Sequence, residues 1–168
     1  MGTRHLTVIK KDNEYKLISY GQWDWYPSWQ GKNILELLRD MDMVQLMDNV
    51  DTMVPTNDVH VSTLCKASKN WEKDYPQFSR DTGTKIIKLI YDTPNLPILD
   101  PKQEGVLEDM KPNVWIEYSY IVDLDQSTLE VHTGTPLDKK GKPNTPVKSY
   151  DLHNLPTTEQ FLLDINAI

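Results

Sequence analysis

The segment Tyr20-Gly21-Gln22-Trp23-Asp24-Trp25-Tyr26-Pro27-Ser28-Trp29-Gln30-Gly31 concentrates aromatic rings around one acid. Trp and Tyr offer wide faces with a polar tip, which suits stacking on a base or sugar, or anchoring a protein partner. Asp24, among the rings, has the chemistry to orient a ligand hydroxyl or amine. The competing role for these rings is packing beneath the next element. A second constellation, Ser79-Arg80-Asp81-Thr82-Gly83, puts a cation, an acid and hydroxyls at an expected helix entrance. Helix N-termini present free N–H groups that hold anions. Arg80, Asp81 and Thr82 are therefore candidate ligand-binding residues, with a capping motif and a structural ion pair as the alternative. Glu117, on an expected central strand, completes the candidate set. A buried carboxylate is costly unless paired, so Arg4 or Arg80 is the expected partner, for a structural pair or for general acid–base work.

Other chemistries find little support. The Gly83 segment lacks the preceding strand and the following Lys of a P-loop. His5, His60, His132 and His153 fall at no metal-ligand spacing. No catalytic residue, metal or cofactor is assigned. The single cysteine, Cys65, excludes an intramolecular disulfide and a thiolate zinc cluster, and is expected as a small buried hydrophobe. The net charge of −7 argues against broad contact with nucleic-acid phosphates. It suits docking on a basic partner. No run approaches the roughly 20 apolar residues that span a bilayer, and Leu6 stands where a myristoylation start needs Ser or Thr. The expected location is the cytoplasm.

The elements that must position these residues follow from periodicity. His5–Lys10 and Tyr15–Tyr20 read as strands joined at Asp12-Asn13, a hairpin over about 4–20. The aromatic segment then leads into a helix through Ile34, Leu35, Leu38 and Met41, with Asn33 as N-cap and Glu36 three residues on. Val44, Leu46, Met47 and Val50 suggest a second helix ended by Pro55. Val59–Leu64 reads as strand or loop, and 71–75 as a polar helical stretch. Ile86, Ile87 and Ile90 recur at helical spacing, with Ser79 or Thr82 as cap. Residues 94–112 read as a loop or flap. Val114–Val122 alternates as a strand and pairs back through Thr128–His132, giving a second hairpin over about 113–132. Residues 133–147 read as an exposed loop, and Thr157 or Thr158 caps a last helix. The expected architecture is one α+β domain over 1–168, an antiparallel sheet of two hairpins with helices on one face.

Met1-Gly-Thr-Arg-His-Leu-Thr-Val, with Tyr20-Gly-Gln-Trp-Asp and Tyr26-Pro27, resembles a family of small proteins. They begin Met-Gly-Thr-Arg and carry Gln-Trp-Asp-Gly-Tyr-Pro after the first hairpin. Ser79-Arg-Asp-Thr-Gly83 and Tyr118-Ser-Tyr-Ile-Val-Asp-Leu-Asp125 are similar to that family's later blocks. Its members occur in bacteriophages, bacteria and fungi, so the resemblance implies a genomic setting more than an activity. Trp25 and Trp29 replace family glycines, which tend to lie open to solvent or at unusual backbone angles. The resemblance thus assigns Trp23 and Tyr26 to the scaffold, and Trp25 and Trp29 to the surface. The expected partner-binding set is Trp25, Trp29, Asp24 and Gln30.

These readings favour a non-enzymatic phage accessory protein that binds a host protein with a basic nucleic-acid-binding groove. Inhibition of a bacterial defence system such as a CRISPR nuclease is the concrete version, set in the host cytoplasm. The alternative is a small hydrolase with Asp24 and Glu117 as a carboxylate pair, or with Thr3 as an N-terminal nucleophile. A protein that sequesters a nucleotide on its rings and Arg80 is the remaining variant.

Overall fold

β-Branched residues on both sides of Asp12-Asn13 produce the first hairpin. The computed structural model describes residues 3–22 and 26–167. Strands β1 (Arg4–Lys11) and β2 (Glu14–Gln22) pair antiparallel. Asp12 and Asn13 turn between them with φ of 55° and 58°, a region that these short polar residues tolerate better than most. The second hairpin joins β5 (Tyr118–Asp123) to β6 (Thr128–Thr133). Asp125 ties the two turns together: its carboxylate accepts from the N–H groups of Asp12 and Asn13, each at 2.8 Å. The Asn13 N–H, with help from that of Asp12, holds the Asp125 carboxyl below its ordinary pKa.

The hairpins share one sheet of order β2-β1-β5-β6-β7, with β7 at Lys148–Asp151. Their join corrects the antiparallel expectation. β1 and β5 run parallel, from His5 opposite Tyr118 to Lys10 opposite Asp123. A parallel neighbour requires a long crossover, and the helices between β2 and β5 return the chain to the end where β1 begins. β7, on the outer side of β6, was not expected. β5 is also shorter than expected: Asn113 Oδ1 accepts from the N–H groups of Trp115 and Ile116 at 2.9 and 3.1 Å. That local turn competes with extension.

Helices cover the sheet. Ile34, Leu35 and Leu38 of α1 (Lys32–Arg39) are buried, as are Leu46 and Val50 of α2 (Met43–Thr52). With α5 (Ile86–Asp92) and α7 (Thr158–Asn166) they pack on Ile9, Tyr120, Val122, Leu129 and Val131. The opposite face, carrying Leu6, Val8, Ile18 and Ile121, is covered as well, by Val106 of α6 (Glu104–Glu108), Met110, Ile116 and Leu137. Each row of β1 and of β5 carries buried apolar residues, Ile9 against Leu6 and Val8, and Tyr120 and Val122 against Ile121, so both faces need cover. This corrects the one-faced expectation and gives residues 94–112 structure: β4 (Pro97–Leu99) pairs parallel with β3 (Val54–Thr56), and α6 follows.

Local chemistry sets the helix starts. Asp42 accepts from Val44 N–H, Asn57 from His60 N–H and Thr157 from Gln160 N–H, capping α2, α3 (Asp58–Ala67) and α7. α3 overturns the strand-or-loop reading of Val59–Leu64. No residue of α3 is buried, and Cys65 is half-buried, because the helix stands at the margin of the core. A one-turn helix α4 (Trp71–Asp74) follows. Asn33 does not cap α1, which continues directly from a π-type turn at Pro27–Gly31. Among the described residues, no helix is long and apolar enough to cross a membrane.

Candidate functional site

The aromatic segment leaves the sheet beside the starts of β1 and β5. Trp23, Asp24 and Trp25 lie outside the described residues. On the β2 side the exit is shaped by Gly21, opposite His5. A Cβ on Gly21 would stand 1.9 Å from His5 Cε1, so only glycine permits this approach. The His5 ring is fully buried, with Nε2 3.0 Å from Thr7 Oγ1. Burial drops its pKa to about 3, against the opposing hydrogen bond with the Gly21 backbone.

Pro27 begins the π-type turn, in which Tyr26 O accepts from the N–H groups of Trp29 and Gln30. Gln30 is buried, and its Oε1 accepts from Thr84 Oγ1 at 2.7 Å. This corrects its assignment to a partner surface, since the amide is spent inside the protein. Trp29 is 58 % exposed, as expected for a surface ring. Tyr26, expected as scaffold, is 51 % exposed and meets Tyr118 edge-on at 6.1 Å between ring centres. Tyr26, Pro27, Ser28, Tyr118, Thr133, Ile165 and Asn166 enclose a cleft of about 310 Å³.

The Ser79–Gly83 segment lies against the end of β2, where Gln22 N–H donates to Arg80 O at 3.0 Å. It does not cap α5. Ser79 Oγ accepts from Asp81 N–H, Thr82 Oγ1 donates to Pro76 O, and Gly83, with φ of 60°, turns the chain into a short 3₁₀ turn. These hydroxyls are used up locally because the chain must bend sharply after Pro76. Arg80 and Asp81 are exposed, and Arg80 makes no ion pair among the described residues.

Glu117 does not form the expected buried pair. It is exposed, with no ion pair to Arg4 or Arg80 among the described residues. Only its backbone engages Arg4, whose O accepts from Glu117 N–H at 3.0 Å. The Arg4 guanidinium instead lies over Trp115, 4.8 Å from the ring centre. Trp115 is 57 % exposed and was not singled out as a site residue. Its signal was available, because a large ring beside a Pro-Asn turn is poorly placed for the core. Arg4, Trp115, Tyr118 and Tyr26 thus gather at one end of the sheet, with Trp29 on the turn that follows Tyr26.

On the α6 face, His132 Nε2 lies 3.0 Å from Glu130 Oε2. The adjacent cavity, bordered by Lys10, Tyr15 and Asp123, has only about 50 Å³, too little for an organic ligand. Among the described residues no group of three or more His, Cys, Asp or Glu is placed to hold a metal ion. The chain matches no protein-family model, no curated protein and no solved structure.

Proposed function

We propose that this is a non-enzymatic binding protein that engages a host macromolecule through the ring-bearing end of its sheet. The observation that carries the reading is the exposure of Tyr26, Trp29 and Trp115, each more than half open to solvent. Large rings left exposed on a protein with an ample core are characteristic of interface anchors. Trp25 and Asp24 belong to the same proposed surface on the grounds of sequence alone. The net charge of −7 favours a basic partner, such as the nucleic-acid groove of a defence protein. The resemblance to a family with phage members favours a phage accessory role, with a CRISPR-type nuclease as the concrete target.

The test compares wild type with a Trp29→Gly/Trp115→Ala variant of unchanged melting temperature. Both are titrated against a purified CRISPR nuclease in its guide-loaded and guide-free forms. Wild type should bind and slow cleavage, and the variant should bind about 30-fold more weakly, the size of a hot-spot loss. Equal binding by the two proteins would remove the rings from the interface. Absence of binding by wild type would remove the nuclease as target.

A further inference from the structure

The cleft beside Tyr26 holds about 310 Å³, and its walls are of two kinds. One wall is aromatic. Tyr118 shares its side of β5 with Tyr120 and Val122, on the helix-covered face. Tyr26 meets it edge-on at 6.1 Å and keeps about half of its own surface open. The other wall is the last turn of α7, through Ile165 and Asn166. A helix end of this kind carries partial negative charge on its free carbonyls. No Lys or Arg stands in that turn to offset it. None occurs anywhere from Ser149 to the end of the chain, a stretch that holds Asp151, Glu159 and Asp164.

The other residues that line the cleft are uncharged. Burial raises the pKa of the Tyr118 hydroxyl and the nearby Glu117 carboxylate raises it further, a sign of negative potential at that ring. Arg4, the cation at this end of the sheet, is engaged elsewhere. It shares the parity of Leu6 and Val8, on the α6 face, and its guanidinium covers Trp115. The cleft is thus ring-walled and electronegative, with no cation of its own.

We propose that this cleft receives the guanidinium of an arginine side chain from the partner protein. The inference rests on the ring-bearing surface being the interface, and it names the group that surface anchors. A tyrosine face carries the negative part of its quadrupole and attracts a cation. Guanidinium is planar and weakly hydrated, so it leaves water for a ring more readily than an ammonium does. Its aliphatic stem suits Ile165 and Pro27, and its N–H groups suit the carbonyls that end α7. A carboxylate would meet an opposing field, and a purely apolar side chain would leave those carbonyls unmet. The net charge of −7 steers a basic partner to the same place.

Amide spectra of the ¹⁵N-labelled full chain test the cleft without the partner. The probes are acetyl-glycyl-arginyl-glycinamide and its citrulline counterpart, which keeps the planar group and loses the charge. The arginine peptide should shift the Ser28, Thr133 and Asn166 amides, saturating at millimolar concentration. The citrulline peptide should bind about fivefold more weakly, as for loss of a cation–ring contact. Tyr26→Leu should narrow the difference between the two peptides, with the rest of its spectrum unchanged as the control for folding. Ser28→Lys, at an exposed position, sets a competing cation at the cleft and should weaken the arginine peptide by a similar factor. Unshifted amides at tens of millimolar arginine peptide would overturn the site, and equal binding of the citrulline peptide would overturn the choice of a cation. Saturable arginine binding by a protein that fails to bind the nuclease would support the cleft and remove only that target. Nuclease binding that survives Ser28→Lys undiminished would overturn the cleft as the anchor and leave the exposed rings as the interface.

Discussion

Thr84 Oγ1 donates a 2.7 Å hydrogen bond to Gln30 Oε1 inside the protein, joining the end of the aromatic segment to the turn that opens α5. Residues 54 apart in sequence meet there, and the bond anchors one side of the proposed surface. Thr84→Val leaves the buried amide oxygen without this donor and should cost about 1–3 kcal/mol. Adding Gln30→Leu to Thr84→Val should recover part of the loss, because an apolar pair leaves no polar group stranded. Urea melts of the single and double variants measure both steps.

Surface and scaffold should separate in thermal melts. Trp29→Gly and Trp115→Ala should each change stability by no more than about 0.5 kcal/mol, as exposed positions usually do. Phe161, fully buried against Gly31 and Tyr150, is the contrast. Phe161→Ala should cost about 3–5 kcal/mol. A Trp29 variant that melts like the Phe161 variant would return that ring to the core.

Gly21→Ala should be among the more damaging small substitutions, since the new methyl would enter the His5 ring. The expected cost is about 1–3 kcal/mol, typical of overpacking. His5→Ser opens space at the same point. In a double-mutant cycle the Gly21→Ala penalty should shrink on that background. An undiminished penalty would place its origin elsewhere than the ring.

The same histidine predicts a pH dependence. In the folded chain its pKa is about 3, and in the unfolded chain it returns to the ordinary 6.5. Between these values the unfolded state binds the proton and the folded state does not. Its contribution is therefore fully present above about pH 6.5 and declines as pH falls, by up to about 1.4 kcal/mol per unit. His5→Gln should remove that part of the slope, leaving the carboxylate contribution. Urea midpoints from pH 7 down to pH 4 for the two proteins provide the comparison, and identical slopes would refute the shift.

Much of this protein was determined by local sequence alone. Runs rich in β-branched and aromatic residues on either side of Asp12-Asn13 and Asp123–Ser127 specify both hairpins, since pairing across a short turn needs no distant information. Helical spacing through Ile34–Leu38, Leu46–Val50, Ile86–Ile90 and Phe161–Ile165 likewise specifies helices, because an apolar stripe has one stable solution. Trp29 was legible as a surface ring, although only through the resemblance. What the chain does not carry locally is which edges meet. The parallel join of β1 to β5 depends on where the helical excursion returns, and no periodicity encodes that. The α3 segment was misread because its half-buried face makes a weak pattern. Side-chain fates were decided at the same level: the Arg4 guanidinium lies over Trp115 rather than beside the exposed Glu117. Gln30 is buried because the π-type turn aims it at Thr84. Each outcome rests on a contact between segments distant in sequence, so only the tertiary structure could decide it.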